Sequence, residues 1–192
     1  MIDLALDCEW HKLTPSNPIS EFDCGNEDLN DFFRSDALQY AEQLLGSTYY
    51  FSTKSGGEIV CAYTLSNDSI KTYDLPNNRK RKIRDGIPRE KHIRSFPATL
   101  IGRLGVSNKF KASGLGSQLM MVIKMNCIQE DGDRCRFLVV DAYNEAQVLR
   151  YYEKNDFKFL FSSEDQEKEY HQMDGSQILR TRFMYFDLLA LR

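Results

Sequence analysis

The middle of the chain holds two short apolar runs separated by a helical pattern. Residues 98–106 and 135–141 are rich in β-branched and other apolar side chains, which is typical of buried strands. Between them, residues 115–129 carry apolar side chains at helical spacing: Leu119, Val122, Ile123 and Cys127. Two strands joined by a helical crossover form a βαβ unit. The pattern therefore predicts an α/β fold, in which a mixed sheet is flanked by helices.

The segments on either side of this unit predict the remaining elements. Residues 26–45 place apolar side chains on one helical face, and residues 47–68 predict a hairpin. Residues 71–94 are predicted as a loop with room for a short helix. Further elements are strands at 2–6, 157–161 and 181–188 and a helix at 145–154. We expect one domain over residues 1–192.

The composition excludes several classes of protein. The 192 residues are 42% hydrophobic but hold no apolar run of bilayer length, and the start of the chain does not resemble a signal peptide. The five cysteines form no C-x-x-C pair, so reduced thiols are expected. With three scattered histidines, no metal site is expected either. We expect a cytoplasmic protein that does not bind a membrane.

A glycine-rich junction separates the first strand of the βαβ unit from its helix. It reads Lys111-Ala112-Ser113-Gly114-Leu115-Gly116. Glycines let a ligand approach the backbone closely, and the N–H groups at the positive end of a helix favour a pyrophosphate. The junction has neither the Gly-Lys-Ser/Thr of a Walker motif nor the third glycine of a dinucleotide fingerprint. By itself, a Gly-x-Gly pair is more often a turn that binds nothing.

Two motifs together give this junction a context. The sequence RLGVSNKFKASGLGSQLM, followed by CRFLVVDAYNEAQVLRYYEKNDFKFL, resembles the GNAT acyltransferase family. Lys111 stands where that family has Gln or Arg in its pyrophosphate loop, which keeps a positive charge. Asp156 stands where the family usually has Gly before the aromatic residue, here Phe157. The resemblance implies the GNAT acyl-CoA N-acyltransferase fold and acetyl-CoA as the cosubstrate.

Three further segments resemble one subgroup of this family. FDCGNEDLNDFF, STYYF and FPATLIGRLGV are similar to the TacT-like toxins, which acetylate the amino group of aminoacyl-tRNA. The subgroup implies a ribbon-helix-helix antitoxin as a partner and a homodimer. Two alternatives stay open: a GNAT enzyme that acetylates a small amine or a protein amine, and a non-catalytic module that binds acyl-CoA or nucleic acid.

The resemblance also assigns candidate site residues. Tyr152 is expected to give a proton to the departing thiolate, although Tyr151 also fits the spacing from Asn144. No general base stands out. An α-amino group, with a pKa of about 7.7–8.0, needs less help in losing a proton than a lysine of about 10.4. The coenzyme-binding residues implied are Leu104, Gly105, Val106, Lys111, Ala112, Ser113, Gly114, Leu115, Gly116, Ser117 and Asn144.

One stretch of the chain is strongly basic. Residues 79–94 carry eight Lys or Arg and two acids, whereas the whole chain has a net charge of −3. This stretch predicts either a surface that binds tRNA phosphates or a solvated loop that balances an acidic body. Few aromatic residues are interleaved, which favours phosphate contact over base stacking. The candidates are Arg79, Lys80, Arg81, Lys82, Arg84, Arg89 and Arg94.

Overall fold

The computed structural model describes residues 2–73, 75–87, 93–111, 114–129 and 135–192. The strands are β1 Cys8–Lys12, β2 Ser47–Thr53, β3 Ile59–Lys71, β4 Ser95–Val106, β5 Phe137–Tyr143, β6 Lys158–Phe159 and β7 Thr181–Asp187. The α-helices are α1 Leu4–Asp7, α2 Glu27–Asp31, α3 Ala37–Glu42, α4 Asn77–Arg84, α5 Leu115–Gln129, α6 Ala146–Lys154 and α7 Glu164–Tyr170. A π-helical segment, Phe32–Asp36, joins α2 to α3.

The strands form one mixed sheet in the order β1-β2-β3-β4-β5-β7-β6. β4 and β5 pair in parallel. β2 pairs antiparallel with β1 and with β3, and β7 pairs antiparallel with β5 and with β6. The crossover between the parallel strands contains α5. The βαβ unit and the mixed α/β fold predicted from the sequence are therefore confirmed.

The chain divides into two compact units. The first comprises Met1–Asn67 and Ile101–Glu130, and the second comprises Asp68–Leu100 and Asp131–Arg192. Both β3 and β4 therefore contribute residues to each unit.

The core of the first unit joins the π-helical segment and α3 to β2 and β3. Its core contains Leu13, Ile19, Phe22, Cys24, Phe33, Ala37, Tyr50 and Ala62. Within α5, the buried residues Leu115, Leu119, Met120 and Ile123 recur at helical spacing, so one face of that helix is covered. The helical pattern predicted at residues 26–45 is confirmed as α2, the π-helical segment and α3.

The predicted strand at residues 2–6 is wrong. Asp3 caps a helix there, because its carboxylate accepts hydrogen bonds from the N–H groups of Ala5 and Leu6. The resulting α1 is tied to α5 by a hydrogen bond from the N–H of Leu4 to Oε1 of Gln118, at 3.0 Å. The first strand starts at Cys8, after this helix.

The second unit has its own core, formed by Ile70, Leu75, Ile83, Phe96, Ala98, Phe137, Val139, Leu160, Phe161 and Tyr185. Its α7 was not predicted from the sequence. That helix is held to β7 by a buried ion pair, in which Nε of Arg182 lies 2.6 Å from Oε2 of Glu167. The guanidinium of Arg182 also lies 4.6 Å from the centre of the Phe159 ring.

Candidate active site

The end of β4 is the first part of the predicted coenzyme site. The parallel ladder pairs Ala98 with Phe137 and runs as far as Leu100 and Val139. Within the described residues the register stops there, although β4 continues to Val106. Residues 104–106 thus lie past the last described ladder pair of β4.

The glycine-rich junction is the second part. Gly114 has a φ of +78°, in the region that favours glycine, and a Cβ there would have no described atom within 4 Å. The N–H of Ser117 donates to the carbonyl of Gly114 at 3.1 Å, so the hydrogen-bond ladder of α5 starts at this glycine. Leu115 is buried and anchors the first turn. The chain therefore has an open turn at the positive end of a 15-residue helix, where an anion is favoured.

Lys111 precedes this turn and is exposed, but its ammonium group is engaged. Nζ of Lys111 donates to the carbonyl oxygen of Cys24 at 2.7 Å. The cation at the start of the junction is thus tethered by a segment 87 residues earlier in the chain. Ala112 and Ser113, also predicted to bind the coenzyme, lie outside the described residues.

Tyr152 lies in the last turn of α6, in the second unit. The N–H of Phe157 donates to the carbonyl of Tyr152 at 3.0 Å, and the N–H of Asp156 donates to the carbonyl of Glu153 at 2.9 Å. Asp156 has a φ of +64°. These two bonds and the left-handed residue form a Schellman motif, in which Phe157 and Tyr152 are the two positions that make its hydrophobic contact.

The side chain of Tyr152 is almost fully enclosed. The residue is 6% exposed, and its ring centre lies 5.3 Å from that of Phe157 and 5.1 Å from that of Tyr151. Burial raises the pKa of the Tyr152 hydroxyl above its ordinary value of 10.0. The phenol therefore keeps its proton at neutral pH. Tyr151, the alternative from the sequence, is half-buried and lies outside the two hydrogen bonds of the Schellman motif.

Asn144 lies between β5 and α6 and supports the local fold. Its backbone N–H donates to the carbonyl of Arg180 at 2.9 Å, and Nδ2 of its side chain donates to the carbonyl of Leu179 at 3.0 Å. The structure thus groups Asn144 and Tyr152 in the second unit and residues 104–117 in the first.

The basic residues of the 79–94 stretch have different environments. Arg81, Lys82 and Arg94 are exposed, and Arg79 and Lys80 are half-buried. The NH2 group of the Arg84 guanidinium donates to Oγ1 of Thr72 and to the carbonyl of Ile93, both at 3.2 Å, while its contact with tRNA phosphates stays a prediction. Arg84 therefore holds α4 to its own unit. Arg89 lies outside the described residues.

Three of the solved structures that resemble this chain are compared over 96% of its length. Two of them are AtaT complexed with acetyl-methionyl-tRNAfMet (TM-score 0.66, 19% identity, 97% of that chain) and a variant of KacT (TM-score 0.66, 17% identity, 97%). The third is a variant of the AtaT toxin bound to the C-terminus of the antitoxin AtaR and acetyl-CoA (TM-score 0.62, 16% identity, 96%). The chain has the GNAT-like fold of AtaT and KacT. No family model matches the sequence.

One carboxyl group of this fold was not singled out from the sequence. Asp141 lies near the end of β5, and the residue as a whole is exposed to solvent. Its carboxyl group is nevertheless partly desolvated by the surrounding protein, which raises the pKa of that carboxyl. The carboxylates of Asp68 and Glu167 raise this pKa further, and His171 lowers it. The sequence signal was a single acidic residue at the end of an apolar strand, which is too common to identify a site.

The described part of the chain lacks two other kinds of feature. No helix there is long and apolar enough to cross a membrane. No group of three or more His, Cys, Asp or Glu side chains is arranged there to hold a metal ion. All five cysteines are free thiols.

Proposed function

We propose that the chain is an acetyl-CoA-dependent N-acetyltransferase of the toxin type, with the α-amino group of aminoacyl-tRNA as its acceptor. The observation that carries this proposal is the likeness of nearly the whole chain to AtaT. Structures of AtaT contain acetyl-methionyl-tRNAfMet and acetyl-CoA, the product and the acetyl donor of such a reaction.

Acetyl-CoA is proposed to bind along the first unit. The N–H groups of residues 114–117, at the positive end of α5, bind its diphosphate, and Lys111 adds a positive charge. The backbone of residues 104–106 binds the pantetheine arm and polarises the thioester carbonyl. N–H groups aimed at a developing oxyanion commonly supply the largest single contribution to catalysis.

Tyr152 is proposed as the proton donor in acetyl transfer. The acceptor nitrogen attacks the thioester carbon, a C–N bond forms, and the C–S bond breaks as the thiolate leaves. The thiolate takes the phenolic proton, and the proton lost by the acceptor nitrogen goes to solvent and restores the phenol. The raised pKa of Tyr152 ensures that the proton is present at neutral pH.

The nature of the acceptor follows from the same chemistry. Attack requires a neutral amine, and an α-amino group with a pKa of about 8 is partly neutral at pH 7, whereas a lysine of about 10.4 is not. A site that works without a dedicated base therefore favours an α-amino group. The exposed side chains of Arg81, Lys82 and Arg94 are proposed to contact tRNA phosphates.

The proposed setting is that of a toxin. A structure of an AtaT variant includes the C-terminus of the antitoxin AtaR, which supports an antitoxin as the partner of this chain, here proposed to be of the ribbon-helix-helix type. We further propose that the chain acts in the cytoplasm as a homodimer and that residues 1–192 form a single domain.

The direct test supplies labelled acetyl-CoA and three acceptors: charged tRNA, a polyamine and a lysine-containing peptide. We expect label on the aminoacyl group of tRNA and little on the other two. Label on the polyamine or the peptide alone would identify a different GNAT enzyme. Binding of acetyl-CoA with no transfer to any acceptor would identify a non-catalytic module.

Two adjacent tyrosines provide a matched pair for the catalytic assignment. Tyr152→Phe should lower kcat by about 10²–10⁴-fold, the usual contribution of a general acid, and leave the Kd for coenzyme A unchanged. Tyr151→Phe removes the same atom from a neighbouring ring and should keep kcat within a few fold of the parent. The reverse result would move the role to Tyr151.

A further inference from the structure

The loop formed by residues 22–26, just before α2, lies against the segment proposed to bind coenzyme A. Gly105 of β4 packs directly under this 22–26 loop. A Cβ at Gly105 would lie 3.2 Å from Cβ of Cys24 and 3.2 Å from Cζ of Phe22, and both of those residues are buried. The absence of a side chain at Gly105 is thus what lets the 22–26 loop approach the end of β4.

The 22–26 loop also holds the start of the glycine-rich junction. The N–H of Asn108 donates to the carbonyl of Asp23 at 2.8 Å, and Nδ2 of Asn108 donates to Oδ2 of Asp23 at 2.9 Å. Nζ of Lys111 donates to the carbonyl of Cys24 at 2.7 Å. Main chain and side chains on both sides therefore fix residues 108–111 against the 22–26 loop.

Asp23 is itself held firmly. Its Oδ1 accepts hydrogen bonds from the N–H of Gly25 at 2.7 Å and from Nδ2 of Asn30 at 3.0 Å. Asn30 is 2% exposed, and its Oδ1 accepts a bond from the N–H of Cys24 at 2.8 Å. The hydrogen bonds from Gly25, Asn30 and Asn108 lower the pKa of Asp23, so its carboxylate is ionised at neutral pH.

Gly25 is the point of closest approach. Its φ is +76°, and a Cβ there would lie 2.9 Å from Oδ1 of Asn108 and 3.2 Å from Nζ of Lys111. Any side chain at this position would displace those two residues.

We propose that Asp23 and Gly25 are positioning residues, which place Asn108 and Lys111 so that the adjoining junction binds the diphosphate of coenzyme A. This inference rests on the proposed function. Asp23 acts through its neighbours, because a carboxylate in contact with the diphosphate would repel it. Its two oxygens are instead occupied by N–H donors of the first unit.

The test compares two glycines that have the same backbone conformation. Gly25→Ala strains a positive φ and also displaces Asn108 and Lys111. Gly57→Ala strains a φ of +69° but would meet no described atom within 4 Å, so it is the control. Asp23→Asn is a second variant, which keeps the shape but turns one acceptor of N–H groups into a donor.

Calorimetric titration with coenzyme A should give a Kd about tenfold higher for Gly25→Ala and Asp23→Asn than for Gly57→Ala, as expected when hydrogen bonds to charged groups are lost. Acetyl-pantetheine lacks the diphosphate. Its kcat/KM, measured with the acceptor that the parent protein uses, should therefore stay within about twofold among the three variants.

Equal Kd values for coenzyme A in the three variants would overturn the inference. So would an equal loss of activity with acetyl-pantetheine, because the effect would then be a general disturbance of the fold. Failure of the proposed function has a different signature, since the parent protein itself would then transfer no acetyl group to any acceptor, whether or not it binds coenzyme A.

Discussion

Asp156 offers a test of how Tyr152 is held in place. An L-residue in the left-handed conformation costs roughly 1–2 kcal/mol, and Asp costs less because its short side chain bonds locally. Asp156→Gly removes this strain but gives the unfolded chain more freedom, which costs roughly 0.5–1 kcal/mol. The two terms nearly cancel, so we expect a change of under about 1 kcal/mol in the free energy of unfolding.

Asp156→Val should instead destabilise the protein clearly. A β-branched side chain fits the left-handed region poorly, and the cost of about 1–3 kcal/mol should lower Tm by about 2–12 °C in a chain of this length. Because the hydrogen bonds of the Schellman motif end on the carbonyls of Glu153 and Tyr152, opening the turn displaces Tyr152. Acetyl transfer by Asp156→Val should therefore fall, while Asp156→Gly stays near the parent rate.

A second Schellman motif supplies the control. At the end of α3, Leu44 has a φ of +59°, its N–H donates to Ala41, and the N–H of Leu45 donates to Tyr40. Leu44 is 93% exposed, so Leu44→Gly loses little packing and should stabilise the protein by about 0.5–1 kcal/mol. Urea unfolding measures both sites. If Leu44→Gly and Asp156→Gly each destabilise by more than about 1 kcal/mol, the strain argument is refuted. If Asp156→Val retains the parent kcat, the turn does not position Tyr152.

Three further predictions concern stability, pH and tRNA binding. Glu167→Ala removes the close partner of the buried Arg182 guanidinium and leaves Glu164 at 3.9 Å, so the free energy of unfolding should fall by about 3–5 kcal/mol in urea titrations. A loss under about 1 kcal/mol would mean that the pair acts like a surface ion pair. The pKa of Asp141 is raised in the fold, so its contribution to stability is full at low pH and is lost as pH rises through the folded pKa. Asp141→Asn should therefore raise Tm at pH 7 but not at pH 3, and a lower Tm at pH 7 would contradict this. Arg81→Ala should reduce the slope of the logarithm of the tRNA-binding constant against log salt by about 0.7–0.9 without lowering Tm. Arg84→Ala should lower Tm, because its side chain holds α4 within the second unit. Equal salt slopes for Arg81→Ala and the parent would exclude a phosphate contact by Arg81.

The central βαβ unit could be predicted because its signals are local. Apolar runs and helical spacing over 10 to 15 residues are enough to distinguish β4, α5 and β5. The helix predicted at residues 26–45 was also correct. The π-helical segment within it, Phe32–Asp36, was not predicted, because apolar spacing does not reveal a local change in the backbone hydrogen-bond ladder.

The errors came where distant contacts or caps decide the structure. Residues 2–6 have an apolar content that suits a strand, but the cap by Asp3 and the contact with Gln118 favour a helix. α7 is almost entirely polar, and its buried Glu167 pairs with a residue 15 positions later. A single-sequence pattern contains no signal for such a pair.

The candidate site was predictable in part for the same reason. The glycine-rich junction and the Tyr152 motif are short and contiguous, whereas the bond between Asp23 and Asn108 links residues 85 positions apart. The 22–26 loop could be noticed as a motif but not explained. Its contacts with Gly105 and Asn108 join residues that are far apart in the chain, which a single-sequence pattern does not reveal.

Two residues depart from the GNAT pattern, Lys111 and Asp156, and these departures keep the alternative of a non-catalytic module open. Each now has a structural account that does not require loss of activity. Asp156 adopts the left-handed conformation that a glycine would adopt, so the turn beside Tyr152 is retained. Lys111 keeps the positive charge and is tethered through Cys24 to the same loop that packs on Gly105.

The departures therefore leave both halves of the proposed chemistry intact, a positive helix end for the diphosphate and a protonated phenol for the thiolate. What still separates the enzyme hypotheses is the acceptor. We propose an α-amino group, because no general base stands out in the sequence and an amine with a pKa of about 8 is already partly neutral at pH 7.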